Sequence, residues 1–226
     1  MQRVNIGALK DQQSEIARQA RFEDKLPLDQ IKYVAGFSTS FRGTRCVCAA
    51  TVIDFKTMKT VEKKFLVTKA PMNYLPGFEA SREGPVICQL YYDLEFEPDV
   101  ILVSGHGLAH PVACGLATFV GVELGKPTFG AAKNLVFGEE KDDLIVFDEQ
   151  VIGRIVKTHE YANPLYVSPG NLISVETAAK IVEKCIVPPH KLPEPLHVAH
   201  RFAKKVLEEQ KEAVHEKKTT REQEHD

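Results

Sequence analysis

Apolar positions change their spacing repeatedly along the chain, and each change marks a passage between helix and strand. Residues 8 to 23 place Ile16 and Ala20 among Gln, Glu and Arg, the spacing of an amphipathic helix. Three strand-like runs follow: one near 32 to 38, then "TRCVCAATVIDFKT" and "KTVEKKFLVTKA", joined by short polar links that imply antiparallel hairpins. After the Pro/Gly stretch "PMNYLPG" the spacing turns helical, with Ile87, Leu90 and Leu94 in phase and Pro85 near the start, where proline is tolerated. "PDVILVS" then reads as a buried strand, "VACGLATFVGVEL" as a buried helix and "KPTFGAA" as a short strand, with further strands at 144–147, 151–157 and 164–167.

"SVETAAKIVEKCI" opens on the N-cap Ser174 with Glu176 in the first turn, so a helix follows. A last apolar-striped helix begins at Pro195 and is expected to dissolve after about residue 207. Hairpins followed by alternating βα units predict an α/β fold: a mixed sheet of three antiparallel strands and then parallel βα units, with helices on both faces. No repeat or linker interrupts it. One domain over 1–207 and a charged C-terminal tail over 208–226 are expected.

Ligands in open α/β sheets gather at the carboxyl ends of strands. Ser38, at the expected end of the first strand, and Ser104, at the end of the fourth, therefore point to one region. Composition narrows the chemistry only a little. A net charge of −2 gives no global basic field, so nucleic-acid binding would need a local basic patch. The five cysteines form no C-x-x-C pair and mostly sit in apolar runs, as reduced core thiols do. With no signal peptide and apolar runs only of strand length, a cytoplasmic protein with no membrane span is expected.

Six segments, in order, then carry a resemblance: "YVAGFSTSF", "YLPGFEASREGP", "GHGLAHPVACGLATFVG", "KPTFGAAKNL", "YVSPGNLISVETA" and "LPEPLHVAH". Together they resemble endonuclease V, the family that nicks nucleic acid near deaminated bases such as inosine, over about residues 8 to 205. The resemblance implies a ribonuclease H-like fold with carboxylates at the strand ends holding magnesium or manganese. Divalent metal neutralises charge developing on a phosphodiester and generates hydroxide from water.

This chain departs from that pattern where it matters most. The family's "AGVD" is "AGFS" here, so Ser38 stands for an aspartate; Ser104 stands for a second aspartate, and Asn171 for a histidine or aspartate after "PG". Only Glu83 is retained, which takes the carboxylate charge from about −3 to about −1, too little for a two-metal site. Taken alone, Glu83 reads as an ordinary carboxylate at a helix start. Lys133 matches the family lysine near the cleaved phosphate.

The parts that handle the base are better kept. Tyr74 matches a strand-separating wedge, and Gly77, Gly105 and Gly107 match a backbone-lined pocket with Leu116 as its apolar wall. His110 matches the "GLAHP" loop, and His106 lies nearby. Glu79 and Ser81 replace apolar residues of the pattern; Glu79 and Glu83 would share a face if the helix began by Phe78. Arg82 and Lys69 could add phosphate contacts. The expected function is an endonuclease V-like protein that binds DNA or RNA, inosine-containing or structured, with nuclease activity lost or very weak. The alternatives are an active magnesium-dependent endonuclease built on Glu83, and a protein-interaction module on the same fold.

Overall fold

The computed structural model describes residues 5–158 and 163–223, with side chains through 210; the last three residues of the expected tail lie outside it. A nine-stranded mixed sheet runs in the order β3-β2-β1-β4-β5-β9-β8-β7-β6. Its hairpin side is β1 (Tyr33–Arg42), β2 (Arg45–Asp54) and β3 (Thr60–Lys69). Strands β4 (Val100–Ser104) and β5 (Thr128–Ala132) add in parallel beside β1. Between them run α2 (Glu79–Tyr91), before β4, and α3 (Leu116–Leu124), before β5. These are the expected βα units.

Beyond β5 the alternation predicts more parallel strands, and the structure differs. Strands β6 (Glu139–Lys141), β7 (Leu144–Phe147), β8 (Gln150–Val156) and β9 (Leu165–Asn171) pair antiparallel, and β9 is antiparallel to β5 as well. The turns are too short for a crossover, which needs a dozen or more residues. Asp148 and Glu149, both at positive φ, form the two-residue link from β7 to β8. β6 has no apolar residue, so its pattern does not read as a strand.

Helices cover both faces. On one, Ile16 of α1 (Ile6–Gln19), Leu90 of α2 and Val120 of α3 meet Ala35, Phe37 and Val103. On the other, Ala178 and Ile181 of α4 (Val175–Lys184) and Leu196 of α5 (Glu194–Gln223) meet Val34, Leu102 and Phe129. The period of two sends alternate residues of each central strand to opposite helical layers. The five thiols are free, four of them buried. Among the described residues no helix is long and apolar enough to cross a membrane.

Three boundaries shift. β1 continues past Ser38 to Arg42 because β2 pairs with it along its whole length, whereas parallel pairing with β4 stops at Phe37. Pro85 lies inside α2, not near its start, and Leu94 falls beyond the helix. α5 continues to Gln223 instead of dissolving near 207, since the run of Glu, Lys, Gln and Ala contains strong helix formers and no Gly or Pro.

α5 crosses β1 at Gly36. A Cβ there would lie 2.3 Å from the Pro195 carbonyl carbon and 2.5 Å from the Leu196 nitrogen, backbone that cannot move aside without lifting the helix. Gly36→Ala is therefore expected to cost about 3 kcal/mol, the upper part of the usual overpacking range. That corresponds to a fall in Tm of roughly 6–12 °C for a domain of this size, read by thermal melt.

Candidate nucleic-acid site

A cavity of about 510 Å³ opens where the loop after β4 meets the start of α2. Tyr74, Gly77, Glu79, Glu83, Ser104, Gly105, His106, His110 and Leu116 all line it, with Pro76, Pro111, Gly115 and Val136 completing the wall. Nearly all the residues expected at a base pocket thus converge, although they come from separate stretches of chain. The volume falls in the ordinary range for small-molecule clefts, about 300–1,000 Å³.

Local geometry explains the convergence. Glu79 is the first residue of α2, so Glu79 and Glu83 lie one turn apart on one face and both reach the cavity. Gly77 has φ +80°, a conformation L side chains rarely adopt, and turns the chain into the helix. The carbonyl of Gly77 accepts from Gln13 Nε2 at 2.7 Å, which ties the loop to α1. His110 is 8% exposed, accepts from the Val112 amide at 3.4 Å through Nδ1, and also bonds the backbone of Gly77. This imidazole braces the two loops that form the cavity.

Tyr74 stands at the mouth, 59% exposed. Its hydroxyl bonds the Glu79 carboxylate, which pushes the phenol above its usual pKa. The Arg82 guanidinium stacks 3.7 Å from the Phe41 ring centroid and 5.7 Å from that of Tyr74, so it supports the aromatic rim from behind and does not line the cavity. Ser81 is buried with its hydroxyl unpartnered, and Lys69 ends β3 opposite Arg45.

Four expected residues do not line the cavity: Ser38 and Lys133, which lie beside it near α5, and Gly107 and Asn171, which lie elsewhere. Gly107 does not line the cavity: a Cβ there would sit 2.1 Å from the Pro169 carbonyl oxygen, and its amide donates to Ser168 Oγ at 2.8 Å. It packs the loop against β9. Asn171 is not at the strand ends that carry the serines. It pairs with Thr128 at the start of β5, whereas Ser104 pairs with Ala131 near that strand's end. Its amide donates to the Gly121 carbonyl at 2.8 Å and its oxygen accepts from the Arg21 amide at 3.1 Å, a structural role. The cause is the antiparallel direction of β9, which carries residue 171 to the far end of the sheet.

His200, on α5, occupies the place expected of Asn171. Its Nδ1 lies 3.2 Å from Ser38 Oγ. Burial, Lys204 and Lys133 all hold this imidazole below its ordinary pKa, so Lys133 acts at the same point without lining the cavity. The signal for His200 was present in "LPEPLHVAH", but nothing in the spacing says which strand α5 will cross. Thr39 was also unforeseen. It faces away from Ser38 and donates a very short hydrogen bond to Glu83. Burial raises the Glu83 pKa, while the Thr39 bond and Arg82 partly oppose that rise.

The donor set fits a divalent metal poorly. Magnesium takes hard oxygen ligands, chiefly carboxylates. Here the strand ends offer one carboxylate, already bonded to Thr39, beside two serine hydroxyls and an imidazole under the influence of lysines. Among the described residues no group of three or more His, Cys, Asp and Glu side chains has a metal-holding arrangement.

A mixed sheet with hairpin, parallel βα units and a cleft at the carboxyl ends of its central strands defines a ribonuclease H-like fold. The endonuclease V family model matches residues 14–201, and the chain belongs to that family. It is 34% identical over 214 residues to the endonuclease V of Archaeoglobus fulgidus, covering 92% of this chain and 96% of the relative. To that of Desulfurococcus amylolyticus it is 36% identical over 179 residues, covering 77% and 81%. Ciona intestinalis endonuclease V, solved with a 24mer DNA containing an inosine followed by a ribo-adenosine, superposes with a TM-score of 0.83 at 27% identity over 90% of this chain and 98% of that one. The Bacillus subtilis endonuclease V structure gives 0.82 at 28% identity, covering 94% and 95%. The family is generally metal-dependent.

His106 and His110 are both held below their ordinary pKa, chiefly by burial. A histidine kept neutral by the fold contributes stability above its unfolded pKa of about 6.5, and loses it as pH falls towards the lower folded value. Tm should therefore drop from pH 7 to 5, and less steeply in a His106→Gln/His110→Gln variant. Parallel melting curves with equal slopes would refute this account of the loop.

Proposed function

We propose that this chain is a nucleic-acid-binding member of the endonuclease V family that takes an inosine-type base into the cavity beside Tyr74, with phosphodiester hydrolysis lost or very weak. One contrast carries the reading: the base-sized cavity retains its glycine-and-leucine frame, whereas the neighbouring strand ends carry Ser38 and Ser104 in place of carboxylates.

The chemistry of each part supports it. Extruding a base costs a few kcal/mol, least for a mispaired or damaged one. A tyrosine at the mouth can stack in the gap left behind, and Leu116 offers a flat apolar wall for the extruded ring. The complex of the Ciona relative with inosine-containing DNA supports the ligand class. Glu79 adds an acceptor that the family pattern lacks, suited to the N–H at position 1 of hypoxanthine and unsuited to the bare nitrogen of adenine. On the catalytic side, a serine hydroxyl neither neutralises a divalent cation nor serves as a general base at neutral pH. Glu83, bonded to Thr39, is left to act alone.

Oligonucleotides carrying one inosine, as DNA and as RNA, provide the test. Binding should favour inosine over adenosine, and Tyr74→Ala should weaken it about tenfold, a loss within the range for one stacked base. No cleavage above background is expected with magnesium or manganese. Cleavage abolished by Glu83→Ala would instead establish an active enzyme with unconventional ligands. Absence of salt-dependent binding to any oligonucleotide would leave the protein-interaction reading.

A further inference from the structure

The reading of this chain as a nucleic-acid binder underlies the following inference. We propose that the position at which a metal nuclease seats its cation has become a direct phosphate receptor here, with Ser104, His200 and Lys133 holding one phosphodiester of the bound strand without a divalent ion and Ser38 orienting His200.

Geometry brings these groups together. Phe37 and Val103 are paired on the parallel strands β1 and β4, so Ser38 and Ser104, the next residue on each, project side by side onto the same face. Adjacent strands lie about 4.8 Å apart, a spacing that sets the Ser104 hydroxyl beside the Ser38–His200 pair. Ser104 is exposed at the strand end, in the wall of the base cavity. Ser38 is 2% exposed and backs against His200, 3.2 Å away at Nδ1. In the tautomer in which the Ser38 hydroxyl donates to that nitrogen, Nε2 carries the ring proton and is left as a donor at the opposite edge of the ring, so Ser38 orients His200 and its own proton is engaged there.

Around His200 the charge has the sign a phosphate needs, while Glu79 and Glu83 lie in the cavity wall that Ser104 also lines. The charged groups acting on His200 are Lys133, just past the end of β5, and Lys204, one turn further along α5, together with His197. Glu83 approaches β1 from the other face and is engaged by Thr39. A cation entering between the serines would meet hydroxyls and the neighbouring lysine, and the Glu83 carboxylate near it is engaged by Thr39. An anion would meet hydroxyl and imidazole donors and a lysine, the groups that bind phosphate in nucleic-acid complexes. Replacing two carboxylates by serines thus reverses the preference of the site as well as removing a catalyst.

Fluorescence polarisation with a labelled inosine-containing single strand tests this at fixed ionic strength, in EDTA and in magnesium. Wild-type affinity should agree within about twofold in the two media. Lys133→Ala and His200→Ala should each weaken metal-free binding about tenfold, as expected for a charge-assisted contact. Lys133→Ala should also flatten the salt dependence by about one phosphate's share, with the preference for inosine over adenosine unchanged. Ser38→Asp/Ser104→Asp should abolish metal-free binding, with magnesium restoring it. A tenfold gain on adding magnesium to the wild type would overturn the proposal, as would Lys133→Ala and His200→Ala variants that melt normally and bind within twofold of wild type. Failure of the wild type to bind any oligonucleotide would overturn the underlying nucleic-acid reading instead.

Discussion

The approach of α5 to Gly36 on β1 is the contact on which the strand-end site depends. With no side chain at residue 36, the Pro195–Leu196 backbone sits directly on the strand. Five residues beyond Pro195, His200 is delivered to Ser38. The same seat buries Leu196 in the α4-side core and continues α5 along β2, where Ala203 and Val206 pack on Val47 and Ala49. A single backbone-to-backbone contact thus couples the stability of one layer to the position of His200.

The cavity is organised by similar economy. Gly115, at the N-cap of α3, lies where a Cβ would strike the His106 carbonyl, and the Ala117 amide donates to that carbonyl at 2.9 Å. The 105–115 loop is therefore folded back on the helix it precedes, which presents Gly105, His106 and Leu116 on one wall. His110 joins this wall to the Gly77 loop, itself tied to α1 through Gln13. None of these contacts needs a carboxylate. That independence lets the cavity form beside strand ends that carry Ser38 and Ser104: the frame is held by packing and backbone hydrogen bonds, and no carboxylate at the strand ends is part of its support.

Local chemistry and tertiary geometry divided the outcome. The sequence by itself determined most of the element types, the hairpins, the two helical layers and the hydroxyl side chains at Ser38 and Ser104, because periodicity and residue identity are local. It also brought Tyr74, Gly77, Glu79, His106, His110 and Leu116 to one cavity through segments that resemble a family's. Only the tertiary structure decided strand direction and helix placement. β9 alternates its residues identically whether it runs parallel or antiparallel, so nothing in "YVSPGN" says that Asn171 lies at the far end of the sheet, bonded to Gly121. His200 is 162 residues from Ser38, and their meeting rests on where α5 can approach a strand closely, which Gly36 settles. Directions and meetings of this kind arise from pairing and close packing between distant segments, and those are properties of the folded chain.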